Sequence, residues 1–256
     1  MSKFNSWCDE TENNQKNRDL TLLRTDAGRL AIGVKALAGI VPSHYASEDR
    51  VSKILGNLGK QAAADFVKNK LPQTKRIRSG DLGEILAISY VQEQTIWDQT
   101  VKKLRWKDHR EMPMRGDDLL AIHVDDDDNI EFLKGESKSR QSLSKATVND
   151  ARTALLADNS RPTPHALAFL SDRLAEEGRE DLSDLIDQAQ YVHGIKLKDV
   201  SHMIFTFSGN CPEKFLFKDL KNYKGKVYQW SVGLWIEDHQ KFIADVFEKV
   251  VADGNA

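Results

Sequence analysis

Residues 114–122, Met-Arg-Gly-Asp-Asp-Leu-Leu-Ala-Ile, and residues 130–140, Ile-Glu-Phe-Leu-Lys-Gly-Glu-Ser-Lys-Ser-Arg, decide the fold. Both stretches are typical of strands, and the Asp- and Asn-rich segment 125–129 between them is typical of a hairpin turn. Side chains two positions apart on a strand share one face, so Glu136 and Lys138 are predicted to lie side by side. The hairpin brings Asp118 to them from the neighbouring strand. The sequence therefore predicts two carboxylates and an ammonium group in one pocket.

This combination of groups points to a metal site that acts on phosphodiesters. Carboxylate oxygens suit a hard divalent cation such as Mg2+, with Mn2+ as an alternative, and such an ion keeps waters and can also take a phosphate oxygen. A lysine beside the ion could orient or activate the attacking water. We therefore predict Asp118 and Glu136 as metal ligands and Lys138 as the residue that acts on the water, in metal-assisted hydrolysis.

The acid-x-lysine pattern is weak when taken alone. A chain of this length should contain about one Glu-x-Lys by chance. A second acid-x-lysine pair, Asp219 and Lys221, lies in a polar, lysine-rich run typical of a solvated loop or short helix. The alternative for Glu136 and Lys138 is an exposed ion pair of little consequence. The strand setting and the preceding Asp118 favour the functional interpretation.

A helix before the hairpin supplies a fourth candidate. The segment Ser-Gly-Asp-Leu-Gly-Glu at residues 79–84 is predicted to begin a helix that runs toward Trp97. Asp81 and Glu84 lie within one turn and could point together toward the pocket, so Glu84 is a candidate ligand of the metal or of a water. Alternatively, Ser79 caps the helix and the helix dipole favours acids in its first turn. The sequence leaves both open.

The helix predicted after Arg140 has a basic side. Lys145 and Arg152 lie on it and, with Lys138 and Arg140, could form a patch that faces phosphates. A solvated helix face explains Lys145 and Arg152 equally well.

Periodicity and turn signals predict the remaining elements. They are a loose lead-in over 1–18, a short strand near 20–23, a helix over 29–40 that ends at Pro42, a helix capped by Ser47 that stops before Pro72, helices over 165–176, 180–192 and 238–251, and strands over 202–207 and 227–235.

Composition narrows the class of protein. The 256 residues can bury a substantial core in one domain, and a formal charge of -2 means that contact with nucleic acid needs a local patch or a partner. Cys8 and Cys211 show no metal-ligand spacing, and no apolar run approaches a membrane span or a secretion signal. We expect a reduced, cytoplasmic protein.

The order of these elements resembles the core of the PD-(D/E)xK nucleases. The resemblance implies an α/β fold with an αβββαβ core, in which helices flank a mixed central sheet, with additional N-terminal and inserted helices. It implies one nuclease domain over 1–256, divided into an N-terminal helical extension, 1–78, and a core, 79–256. Asp118 matches the metal-binding Asp of the motif, Glu136 the second acid, Lys138 the motif lysine, and Glu84 the helix acid of some members. The chain departs from the pattern because no proline precedes an acid, and Asp117 beside Asp118 leaves the choice of ligand open.

Most of the chain also resembles the HamA family, the nuclease subunits of bacterial Hachiman anti-phage defence systems. The segments that carry the resemblance are 79–84, 115–120 and 133–139. It implies a large, HamB-like DNA helicase as partner, which restrains the nuclease and, on sensing aberrant DNA, releases it to degrade DNA with little regard to sequence. One alternative is a non-catalytic DNA-binding or helicase-regulating subunit with a nuclease fold. Another is a site-specific restriction-type nuclease, although no recognition domain is evident.

Overall fold

A computed structural model describes residues 2–15, 17–97, 99–114 and 116–255, so Arg115 of the hairpin stretch lies outside the described residues. A single mixed sheet of seven strands runs through the described chain. The strands are β1 Asp9–Gln15, β2 Arg18–Arg24, β3 Gln99–Thr100, β4 Leu119–Val124, β5 Ile130–Arg140, β6 Val200–Ser208 and β7 Tyr228–Trp235. Their order in the sheet is β1-β2-β7-β6-β5-β4-β3. The four central strands β2, β7, β6 and β5 are parallel to one another, whereas β1 at one edge and β4 and β3 at the other pair antiparallel.

Helices flank this sheet, which confirms the predicted α/β class with a mixed central sheet. The α-helices in the described residues are α1 Leu30–Tyr45, α2 Glu48–Leu58, α3 Lys60–Lys70, α4 Lys75–Gln94, α5 Lys145–Ser160, α6 Pro164–Glu176, α7 Glu180–Asp187, α8 Glu213–Asn222 and α9 His239–Asn255. None of them, in the part of the chain described, combines the length and apolar character needed to cross a bilayer.

Alternation along the central strands divides the core between the two faces of the sheet. Phe205 and Phe207 of β6 pack with α1, α4 and α9, whereas Ile204 packs with residues of α5 and α8. Both faces of β6 are buried, as expected for a parallel strand inside an α/β sheet. A third cluster joins α6 and α7 to β4 and the start of β5. The hairpin that carries the candidate site is thus supported on both sides.

The prediction of a loose lead-in over residues 1–18 is wrong. Phe4 and Trp7 are fully buried, and Trp7 stacks between Phe4 and Phe242 of α9. β1 then pairs along β2. Two aromatic anchors are enough to order a segment whose other residues are mostly polar. Segment 1–78, expected as a helical extension, therefore contains β1 and β2 of the central sheet as well as α1, α2 and α3.

Two predicted helix ends differ from the observed ones. The α1 helix continues through Pro42 to Tyr45, because a proline in the last turn removes few hydrogen bonds and α1 is held by its packing on α9. Ser47 does cap α2, with its side chain accepting from the Arg50 amide. The single helix predicted from there breaks at Gly59, whose φ of 84° lies in the left-handed region that favours glycine, and α3 begins anew.

Candidate functional site

The β4–β5 hairpin sets Asp118 against Glu136. The antiparallel register pairs Leu119 with Gly135, and continuing it by one residue places Asp118, just before β4, opposite Glu136. The Asp118 side chain is fixed by the backbone of β5, because its Oδ2 accepts a hydrogen bond of 3.0 Å from the Ser137 amide. Glu136 and Lys138 follow each other on one face of β5, and Lys138 Nζ lies 2.5 Å from Glu136 Oε1.

The α4 helix brings Glu84 to the same end of the hairpin. A Cβ atom at Gly83 would meet Ser137 Oγ at 3.0 Å and Ser139 Cβ at 3.1 Å, so a glycine at this position lets α4 lie directly on β5. Ser79 Oγ, 2.8 Å from Ser139 Oγ, adds a hydrogen bond across this contact. Strand alternation therefore directs Ser137 and Ser139 toward α4, and Glu136 and Lys138 toward the opposite face.

The capping explanation of Glu84 is excluded by where α4 begins. The helix starts at Lys75, so Ser79 lies inside it and Glu84 lies in its third turn, beyond the reach of the helix dipole. Asp81 has different direct partners from Glu84: it pairs with Lys107 at 2.8 Å and accepts a hydrogen bond of 2.7 Å from the Tyr45 hydroxyl. The predicted start of α4 was too late. The true start is secured by Glu111, whose carboxylate accepts hydrogen bonds from the backbone amides of Gln73 and Thr74 and which is far from them in the sequence.

Lys103 is the site residue that sequence reasoning missed. It begins a short 3-10 turn, Lys103–Trp106, and only 7% of its surface is exposed. Its Nζ lies 3.3 Å from Glu84 Oε2 and 3.8 Å from Asp118 Oδ1, and it donates a 3.1 Å hydrogen bond to the Asp117 carbonyl. Lys103 is thus the group that joins the α4 side of the site to the hairpin.

Burial and mutual repulsion oppose ionisation of the carboxyl groups. Burial raises the pKa of Glu84 to about 8, with the Asp118 charge adding to the rise and Lys103 opposing it. Burial likewise raises the pKa of Glu136 to about 7, again with a contribution from Asp118 and opposed by Lys138. Glu84 Oε2 is fully enclosed and accepts no hydrogen bond, so only the charge of Lys103 compensates it. Burial is the main cause of both rises, and the neighbouring lysines offset it only in part.

The two neighbouring aspartates have separate partners. Asp117 Oδ1 lies 3.5 Å from Lys134 Nζ, and its Oδ2 accepts from the amide of Thr163, the residue that caps α6. Asp118 has the contacts with Ser137 and Lys103 described above. Asp117 therefore links the hairpin to the start of α6, while Asp118 faces the candidate site.

Arg152 does not belong to the phosphate-facing patch that was predicted from Lys138, Arg140, Lys145 and Arg152. Arg152 is buried, with its guanidinium 2.6 Å from Asp219 of α8 and a further bond to Gln229 of β7. Arg152 therefore joins α5, α8 and the sheet instead of facing solvent. The prediction failed because Asp219, its partner, is far away in the sequence. Lys145 and Arg140 are exposed, as the patch requires.

No metal cage is preassembled in the described parts of the chain: nowhere do three or more His, Cys, Asp or Glu side chains converge as ligands. Lysines stand between the carboxylates instead. A cavity of about 510 Å3 borders Asp118 and Lys103, but Glu136 and Lys138 do not line it. The rest of its wall is mainly apolar and comes largely from β4 and α6. The site therefore has two sides, with Glu84 and Lys103 on one, Glu136 and Lys138 on the other, and Asp118 between them.

Comparison with known proteins gives one consistent result. The family model HamA matches residues 2–250. A protein of Bacillus cereus named "Hachiman protein HamA" is 24% identical over 245 residues, which cover 94% of this chain and 87% of that protein.

Proposed function

This chain belongs to the HamA family of the Hachiman anti-phage defence system, and on that premise we propose that it is a metal-dependent, largely sequence-independent DNA nuclease. It would be the effector subunit of a complex that a large partner helicase restrains and activates. The observation that carries the proposal is the hairpin that sets Asp118 opposite Glu136, with Lys138 beside them. We assign α4, β4, β5 and the following elements to a PD-(D/E)xK core on the same grounds.

The residues fit a hard divalent cation. Asp118 and Glu136 would hold Mg2+ or Mn2+ through carboxylate oxygens, which is the donor type these ions prefer. Asp118 and Glu136 lie close enough that the charge of Asp118 contributes to the raised pKa of Glu136, and an ion between them would relieve this repulsion. A bound ion would polarise the phosphate and lower the pKa of a bound water.

The lysine of the motif would act on the water and on the phosphate. Lys138 is partly exposed, with 20% of its side chain open to solvent, and its ammonium group already lies beside Glu136. With a cation bound to Glu136, that ammonium group would be free to orient the attacking water or to hold a phosphate oxygen. Glu84, which is buried, would act through its contact with Lys103.

Charge supports dependence on a partner. The chain has 37 basic and 39 acidic side chains, so it has no excess of positive charge with which to concentrate DNA. The hairpin site offers a phosphodiester few groups with which to read bases, so control over what is cut would have to come from the helicase.

The decisive experiment is cleavage of a supercoiled plasmid by the purified protein, alone and with its helicase, in Mg2+ and in EDTA. We expect cleavage only with Mg2+, and a loss of about a hundredfold or more in Glu136→Gln and in Lys138→Ala. Plasmids of unrelated sequence should be cut at similar rates.

Lys221→Ala is the matched control, because Lys221 belongs to the other acid-x-lysine pair of the chain but is exposed on α8. It should cleave like the unaltered protein. Unchanged cleavage in Glu136→Gln and Lys138→Ala would refute the site assignment. A complex that alters helicase activity yet cleaves no plasmid would show the non-catalytic regulatory subunit instead.

A further inference from the structure

The carboxylates of the candidate site are paired with two lysines that differ in position and exposure. Its ammonium group lies between Glu84 and Asp118, at 3.3 Å and 3.8 Å from their nearest oxygens. Glu136 on the opposite side has Lys138, which is more exposed. The two sides of Asp118 therefore differ: one contains an enclosed cation, and the cation on the other is partly exposed.

The position of Lys103 is fixed by the fold. Its Nζ donates to the Asp117 carbonyl at 3.1 Å, and the next residue of the turn, Leu104, is buried in the main core. Lys103 is also the cation paired with Glu84 Oε2, a buried oxygen that accepts no hydrogen bond. The contacts with Glu84, Asp118 and the Asp117 carbonyl together hold the ammonium group in the site.

Catalytic sites with two metal ions need both ions about 3.5–4 Å apart, held by ligands between them. In this chain the carboxylate able to bridge two ions is Asp118, and a second ion would have to lie on its Glu84 side. The Lys103 ammonium group already lies between Asp118 and Glu84 on that side.

We propose that the site binds a single divalent ion, between Asp118 and Glu136, and that Lys103 supplies a fixed positive charge where a second ion would otherwise lie. Lys103 is a positioning residue in this scheme, because it holds Glu84 and Asp118 and does not touch the reacting phosphate. The inference rests on the proposed metal site and adds the number of ions and the identity of the internal cation.

The test is the stoichiometry of Mn2+ binding to the full chain without DNA, measured by titration calorimetry and by the EPR signal of free Mn2+. The unaltered protein should bind one equivalent. Lys103→Met should bind two, because Glu84 and Asp118 then lack their cation, and Lys103→Arg should restore one. Lys102→Met is the matched control, since the neighbouring lysine bonds the Ser43 hydroxyl instead of a carboxylate, and it should also bind one.

Glu84→Gln keeps the inference testable if Lys103→Met fails to fold. It should still bind one equivalent with an affinity within about threefold of the unaltered protein, whereas Glu136→Gln should weaken binding at least tenfold. Two equivalents in the unaltered protein, or a tenfold loss of affinity in Glu84→Gln, would overturn the inference. Plasmid cleavage is measured separately: a protein that cleaves with two ions refutes only the single-ion scheme, and one that binds a single ion without cleaving refutes only the proposed nuclease.

Discussion

The contact between α4 and β5 can be tested with two glycines of one helix. Gly80 and Gly83 both lie inside α4, and a Cβ at Gly80 would meet no atom within 4 Å. A Cβ at Gly83 would meet Ser137 Oγ at 3.0 Å and Ser139 Cβ at 3.1 Å. Gly80→Ala and Gly83→Ala therefore make the same chemical change, one in open space and one against the strand that carries Glu136.

The expected free energies follow from these distances. Alanine in place of glycine inside a helix stabilises the fold by about 0.5–1 kcal/mol, and we expect this gain from Gly80→Ala. At Gly83 the same gain is offset by crowding, because optimal carbon contacts need about 3.5–4.0 Å and overpacking costs about 1–3 kcal/mol. The free energies of unfolding of the two variants should therefore differ by about 1–3 kcal/mol, with Gly83→Ala the less stable.

The assay is thermal unfolding followed by circular dichroism, with urea titration as a second measure of stability. For a chain of this size, 1 kcal/mol corresponds to about 2–4 °C in Tm, so the variants should be separated by at least about 2 °C. Gly83→Ala should also cut plasmid more slowly, since α4 carries Glu84 and must move away from β5. A Gly83→Ala protein as stable as Gly80→Ala would refute the close approach of α4 to the site.

Two further predictions concern buried polar groups. Arg152→Met leaves Asp219 buried without its partner and should lower the free energy of unfolding in urea by about 3–5 kcal/mol, whereas exposed Lys145→Ala on the same helix should change it by less than about 0.5 kcal/mol. Burial lowers the pKa of His202 to about 4, so the folded state resists a proton that the unfolded state takes up below pH 6.5. Stability should therefore fall by up to about 3 kcal/mol from pH 6.5 to 4, and His202→Gln should show a shallower loss in thermal melts across that range. A loss equally steep in His202→Gln would exclude His202 as its source.

The hairpin could be predicted because its signals are local. Strand patterning on both sides of an Asp- and Asn-rich turn determines an antiparallel pair, and the register then brings Asp118 opposite Glu136. The strands β6 and β7 were found in the same way, from β-branched and aromatic runs. The start of α4 was missed because a Ser-x-Asp pattern is typical of a cap, while the actual first turn is secured by Glu111, 37 residues from Thr74.

Lys103 could not be predicted because nothing near it in sequence marks it as buried. Lysine is almost never enclosed unless it is paired, and both of its partners are distant in sequence and become neighbours only when α4 packs on the hairpin. The balance of charge gave no signal for it either, because the predicted site of three acids, one lysine and a divalent cation is already neutral.

In the proposed nuclease, the balance of charge would link metal binding to DNA binding. With all carboxylates ionised, Glu84, Asp118 and Glu136 would exceed Lys103 and Lys138 by one negative charge, but burial raises the pKa of Glu84 to about 8 and that of Glu136 to about 7, so protons neutralise part of this charge near neutral pH. A divalent ion would therefore have to displace a proton from Glu136 as it binds. The bound ion would add positive charge to the site, and ion and phosphate would then favour each other's binding to the same extent, because such coupling is reciprocal. Binding of this kind would suit a nuclease whose partner decides when DNA is delivered.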